Sequence, residues 1–110
     1  MAPRFQEQDL LPYTTAPLPP GPWLVFAPHP DDETFGLGGA LLRARDEGVE
    51  TRVIALTDGA LGGGGERAAV VARREAELRA ACRALGVARV ACWGEPDRGL
   101  QPTPALVERV

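Results

Sequence analysis

The 110 residues of this chain include one histidine, two cysteines and no lysine. Each scarcity excludes something. Two cysteines do not make a disulfide framework. Cys82 and Cys92 each sit in an apolar, periodic segment, where a small buried hydrophobe is the default. That usage fits a reducing, cytoplasmic compartment. No apolar run approaches membrane-spanning length, and no N-terminal stretch has the charged start and long apolar core of a signal peptide. All twelve basic residues are arginine, set against a net charge of −3, and they form no one-sided footprint for nucleic acid. Arg67, Arg73, Arg74, Arg79 and Arg83 crowd one segment but alternate with Glu66, Glu75 and Glu77, the pattern of a solvated helix face. The length allows one domain at most.

Proline, by contrast, is concentrated. Residues 1–22 hold Pro3, Pro12, Pro17, Pro19, Pro20 and Pro22, which reads as an extended arm on the surface. Residues 23–110 read as the folded part. "WLVFA" is a continuous apolar run of strand length, stopped by Pro28 and Pro30. From residue 34 to 47, Phe35, Leu37, Leu41, Leu42 and Ala44 recur at near-helical spacing, and Gly48 ends the helix. "TRVIALT" is a second strand. A helix over 66–85, with Ala69, Val70, Ala76, Ala80, Ala81 and Leu85 facing inward, closes at Gly86. "ARVACWG" is a third strand. "TPALVERV" begins another helix, with Thr103 as N-cap and Pro104 at the first helical position.

Strands alternating with helices predict an α/β fold with a Rossmann-like parallel sheet in β-α-β-α-β order. In such a sheet the loops leaving the strands' carboxyl ends gather on one rim, where ligands bind. Those loops are "PHPDDE", "DGALGGGGE" and "EPDRGLQ". They bring His29, Asp31, Asp32, Asp58 and Asp97 to one edge. The acids of "DDE" suit a helix N-terminus, where they favour the macrodipole by roughly 0.3–1 kcal/mol each. Capping leaves unexplained why the chain's one histidine stands beside them, held between two prolines. A divalent cation accounts for it. Imidazole and carboxylate are ordinary zinc ligands, and His29 and Asp32, three apart across a tight turn, can converge on one ion. Asp31 then lies beside the ion, where it can take a proton from water.

The strings "PHPDDE", "GLGGAL", "TDGALGGG", "RREAELRAACRALGV" and "EPDRGL", in this order, resemble the LmbE-like, or PIG-L, family of zinc-dependent N-deacetylases. The resemblance runs from about Trp23 to Gln101. It implies a Rossmann-like fold and removal of acetyl groups from N-acetylglucosamine units, often in conjugates with inositol or other groups. It implies that His29 and Asp32 are metal ligands, that Asp31 is the general base, and that Arg74 and Asp97 contact the substrate. The family's third ligand, a histidine from a downstream His-x-x-His segment, has no counterpart here. The chain is therefore expected to be the N-terminal portion of such a domain, incomplete at the metal site. The free sheet edge beside the first strand calls for a cover, which a second copy can supply.

Alternatives stand beside these readings. Gly36, Gly38 and Gly39 imitate a dinucleotide fingerprint, but a phosphate there would meet three acids. Close packing of helix on sheet is the expectation. The glycine run 62–65 can cradle an anion, although the expectation is a mobile loop, which in a hydrolase can act as a lid. Asp58 caps its loop or lies behind the metal, Asp97 acts on substrate or shapes a turn, and Trp93 stacks on a sugar or is buried against the sheet. As a whole the chain is a metal-dependent deacetylase or a non-catalytic ligand- or partner-binding module on the same fold. A nucleotide-binding domain ranks behind both.

Overall fold

The computed structural model describes residues 16–61 and 65–110, together with residues 6 and 9. Most of the expected arm, and residues 62–64 of the glycine run, lie outside the described residues. The elements are β1 (Trp23–Ala27), α1 (Asp32–Asp46), β2 (Thr51–Thr57), α2 (Arg67–Ala84), β3 (Arg89–Glu95) and α3 (Pro104–Arg109). The strands form one parallel sheet in the order β1-β2-β3, as expected.

Sequence-adjacent strands joined by right-handed crossovers carry both connecting helices on one face. The register sets Val25 beside Val53 and Val53 beside Val90, so these residues share that face. Leu41 of α1, and Leu78 and Cys82 of α2, pack onto it with Leu85. Leu41 and Leu78 are wholly buried, each worth about 2 kcal/mol in area removed from water. Strand burial alternates strictly along β2. The opposite face carries Phe26, Ile54, Leu56 and Ala91, half-buried, and Leu24, which is 53% exposed.

Both long helices stop as their glycines predict. Gly48 and Gly86 adopt φ +76 and +71. The amides of Val49 and Val87 donate back to the carbonyls of Ala44 and Cys82, which closes each helix in a Schellman turn. Thr103 caps α3, its hydroxyl accepting from the Leu106 amide at 3.2 Å. Among the described residues no helix is long and apolar enough to cross a membrane.

Two expectations fail. Along α2 and its C-cap, Val70 and Leu85 are buried as expected, but Leu78 and Cys82 complete the inner face, while Ala69, Ala76 and Ala80 are exposed. Alanines scattered round this helix carry too little contrast to mark a face, and the four-residue step from Leu78 to Cys82 marks it instead. Gly36, Gly38 and Gly39 do not admit the sheet. A Cβ would meet nothing within 4 Å at Gly36 or Gly39, and only the Thr34 methyl at 3.9 Å at Gly38. Helix α1 approaches the sheet through its C-terminal half, at Leu41 and Ala44.

Candidate active site at the carboxyl rim

The first rim loop is pinned to β2. Thr57, buried at the end of that strand, donates both its amide and its hydroxyl to the Pro28 carbonyl, at 3.0 and 2.7 Å. Three residues on, Asp31 turns left-handed at φ 95, a conformation costly for any residue with a Cβ. Glu33 supports it. This carboxylate is 1% exposed and accepts from the Asp31 amide at 2.9 Å and the Thr34 hydroxyl at 3.1 Å. Asp31 is the N-cap of α1 by position, yet its side chain makes no capping bond. It faces Arg74 of α2 at 3.5 Å, and Arg74 also donates to the Pro30 carbonyl at 2.9 Å. Capping therefore does not employ the Asp31 carboxylate, although Asp32 and Glu33 still lie in the acidic first turn.

His29 is flanked on both ring nitrogens. Nδ1 lies 3.3 Å from Asp32 Oδ2 and Nε2 lies 3.0 Å from Asp97 Oδ1. The His29 amide donates to the same Asp32 oxygen at 3.1 Å. Asp97 arrives from the third rim loop with its side chain only 7% exposed, and its other oxygen accepts from the Leu61 amide at 3.0 Å. A bulge in β3 brings it there. Ala55 pairs with Cys92 but Thr57 with Glu95, so an extra residue is absorbed near Gly94, whose φ is +72. Such bulges re-aim the chain that follows.

Asp58 serves its own loop. It accepts from the Ala60 amide at 3.0 Å and pairs with Arg67 at 3.1 Å. Burial alone would raise its pKa. The Ala60 amide, Arg67 and a backbone bond from Asp97 outweigh that, and the carboxyl lies below its usual range. Trp93 points to the sheet face away from α1 and α2. It meets Phe26 edge-on at 5.9 Å, and the Arg109 guanidinium lies 4.1 Å above its ring. In this structure Trp93 packs against Phe26 and beneath Arg109.

His29, Asp31, Asp32, Arg74 and Asp97 all line one cleft of about 440 Å³, with Phe35, 87% exposed, at its mouth. Sequence reasoning missed Gly59. Its φ is +64, and a Cβ there would stand 2.6 Å from Arg74 Nε and 3.1 Å from Pro30 Cδ. The Asp-Gly dipeptide at the strand end was the available signal.

The donor set partly fits a divalent cation. A tetrahedral zinc with bonds of about 2.0–2.1 Å separates two ligand atoms by about 3.3 Å, the spacing found between His29 Nδ1 and Asp32 Oδ2. A neutral imidazole donates from one nitrogen only and an imidazolium from both, so beside a neutral ring one of the two carboxylate neighbours meets a lone pair. The ring nitrogens point to opposite sides, so Asp97 cannot join Asp32 on one ion at His29. Among the described residues no group of three or more histidine, cysteine, aspartate or glutamate side chains is arranged to hold a metal.

A parallel sheet with an imidazole and several carboxylates on its carboxyl rim defines a Rossmann-like α/β domain with a polar, acid-rich ligand cleft. The particular family follows from comparison with known proteins. Residues 24–110 match PIG-L, GlcNAc-PI de-N-acetylase, and the chain belongs to that family. It is 32% identical over 94 residues to the probable N-acetyl-alpha-D-glucosaminyl L-malate deacetylase 2 of Bacillus anthracis, covering 79% of this chain and 42% of that protein. The N,N'-diacetylchitobiose deacetylase of Pyrococcus horikoshii superposes with a TM-score of 0.74 at 30% identity, over 78% of this chain and 33% of that one. The 4-carboxy-2-hydroxymuconate hydratase GalB of Pseudomonas putida KT2440 superposes with a TM-score of 0.71 at 26% identity, over 78% and 39%. The chain thus spans about two-fifths of the length of its curated relative and corresponds to the N-terminal part of such proteins.

Proposed function

We propose that this chain carries the base and part of the metal site of a hydrolase that removes N-acetyl groups from N-acetylglucosamine-type conjugates in the cytoplasm. The observation behind the reading is the joint placement of Asp31, held by Arg74, beside the His29–Asp32 pair in one cleft. His29 and Asp32 would hold zinc or another divalent cation, which supplies Lewis-acid polarisation of the acetyl carbonyl and acidifies a water toward a pKa of about 7. Asp31 accepts the proton of the attacking water and returns it to the leaving amine. Arg74 fixes that carboxylate and the Pro30 carbonyl together, so the base and the turn bearing His29 keep one geometry, and it lines the cleft in which a substrate would sit. Asp97, at the wall of the same cleft, is the other residue in reach of a bound conjugate.

A catalytic zinc takes three protein donors and keeps one open position, and the described residues of this chain offer two at His29 and Asp32. We therefore expect little turnover from the 110 residues alone. The same observation favours a second reading, a non-catalytic module that binds a ligand, a partner or a second copy through this rim. Amine release from N-acetylglucosamine conjugates, measured on a protein carrying this segment within a complete domain, tests the first. Chelation should abolish the activity, and Asp31→Asn should lower it by about 10²–10⁴-fold. Activity that survives both overturns the deacetylase mechanism. Water addition to an unsaturated acid without amine release would place the chain with the hydratase among its structural neighbours.

A further inference from the structure

Two residues of the cleft keep a side chain at a left-handed backbone position, Asp31 at φ 95 and Arg98 at φ 59, a conformation that disfavours any residue with a Cβ. The Asp31 carboxylate is matched by Arg74 at 3.5 Å. Arg98 is matched by nothing. It is exposed, and among the described residues its guanidinium makes no ion pair, hydrogen bond or ring contact. The acids around it are engaged elsewhere. Asp97, its neighbour in the chain, sets one oxygen 3.0 Å from the His29 ring and accepts the Leu61 amide with the other. With its side chain only 7% exposed, it cannot turn to Arg98 without giving up both contacts. Asp32 lies against the opposite side of the His29 ring. A planar fork of five N–H donors therefore stands at the cleft with no acceptor among the described residues.

We propose that Arg98 is a specificity residue that seats an anionic group, a carboxylate or a phosphate, on the molecule bound in the cleft. A guanidinium meets the paired oxygens of either anion in a bidentate bond. The cleft, at about 440 Å³, falls within the range of small-molecule sites. Its lining holds three aspartates against two arginines, so the cleft as a whole does not draw anions in. The seat is local to the guanidinium that no carboxylate neutralises. That the anion is carried by an N-acetylated sugar rests on the deacetylase reading proposed above, whereas the anion seat stands on Arg98 itself.

The test titrates the ¹⁵N-labelled chain with methyl N-acetyl-α-D-glucosaminide, its carboxymethyl counterpart and N-acetyl-α-D-glucosamine 1-phosphate, and follows the amide shifts of the cleft residues. The anionic probes should bind about fivefold tighter than the neutral one, the size of an ion pair open to solvent, and the tighter of the two identifies the anion. Arg98→Gln should erase the preference, and Arg98→Lys should keep part of it. Arg98→Gly should also erase it, while Tm stays unchanged or rises by up to about 8 °C, because the relieved strain is offset in part by glycine's greater freedom in the unfolded chain. Equal affinity for all three probes, no shift with either anion, or a preference that persists in Arg98→Gln overturns the proposal. So does a Tm loss of more than about 4 °C in Arg98→Gly, which would show that the side chain serves the fold. Inorganic phosphate separates the seat from the sugar. If it shifts the cleft amides only while Arg98 is present, and the neutral glycoside shifts nothing, the anion seat is supported and the sugar part of the reading is overturned.

Discussion

Gly59→Ala tests the packing behind the candidate base. Two costs arise at this position. A Cβ at φ +64 carries a left-handed penalty of about 1–2 kcal/mol, offset by about 0.4–1 kcal/mol because alanine has less freedom to lose from the unfolded chain. The new methyl would also stand 2.6 Å from Arg74 Nε, so the guanidinium must move. Arg74 then gives up its 2.9 Å bond to the Pro30 carbonyl and its approach to Asp31. A charged hydrogen bond is worth at most about 1.5–3 kcal/mol, and partial exposure brings this nearer to about 1 kcal/mol. Together the costs come to about 2 kcal/mol, which lowers Tm by roughly 8–16 °C in a chain of this size. Thermal melting followed by circular dichroism reads the change. The contact is isolated by repeating Gly59→Ala in an Arg74→Ala background, where the backbone cost and the 3.1 Å approach to Pro30 Cδ remain and the difference should be about 1 kcal/mol. Gly65→Ala is a further control, since its φ is +111 but nothing stands within 4 Å of its Cβ. Equal losses from Gly59→Ala in the two backgrounds would show that Gly59 does not act through Arg74.

Gly39→Ala should stabilise the chain by about 0.5–1 kcal/mol, because it removes a mid-helix glycine where a Cβ meets nothing; a loss in denaturant midpoint would show that the space is occupied. Asp58, whose carboxyl lies below its ordinary value of 3.8, binds its proton more readily when unfolded. It therefore contributes stability above that pH that disappears as pH falls through the lower folded value, and Asp58→Asn should flatten this acid limb in urea titrations. Burial, then the charges of Glu33 and Cys92, push the Cys82 thiol from 9.0 up to about 11. Its contribution is full below pH 9 and fades toward 11, so Cys82→Ala should lessen the alkaline decline, and thiol reagents should label Cys82 only as fast as the fold opens. Asp31→Gly should raise stability by about 1 kcal/mol by relieving φ 95, and should abolish amine release in the complete domain; a destabilised variant would show that the turn tolerates aspartate without strain.

Much of the architecture could be read from residue order, because its boundaries are chemical. Pro28 and Pro30 end β1, and Gly48 and Gly86 end α1 and α2. Three acid-bearing loops on one rim follow from a parallel sheet alone. What escaped reading depended on contrast or on contacts between loops. In "TRVIALT" the helix-covered residues are Thr51, Val53, Ala55 and Thr57, smaller than the Ile54 and Leu56 of the other face. Apolar residues on both faces hid which one the helices take. Alanine at most turns hid the inner face of α2 in the same way. The contacts of Arg74 with Asp31 and of Asp97 with His29 join residues far apart in the chain, and the loops that create them turn on Gly59 and Gly94, whose backbone angles no pattern of apolar residues encodes.

Backbone strain is distributed in a way that bears on which rim side chains matter. Among the described residues the left-handed positions away from the rim are filled by glycine: Gly48 and Gly86 where helices end, and Gly65 before α2. Glycine adopts that conformation without steric cost, so nothing there calls for a side chain. The positions that keep a side chain in spite of the cost are Asp31 at φ 95 and Arg98 at φ 59, and both line the same cleft. Each carries about 1–2 kcal/mol of backbone strain that glycine would not. At Asp31 the structure shows what is gained, a carboxylate turned away from the helix it begins and toward Arg74, with the buried Glu33 holding its amide in place. Strain held at non-glycine residues in one cleft, while glycine relieves it elsewhere, is what a site requires when its side chains are needed for chemistry rather than for folding.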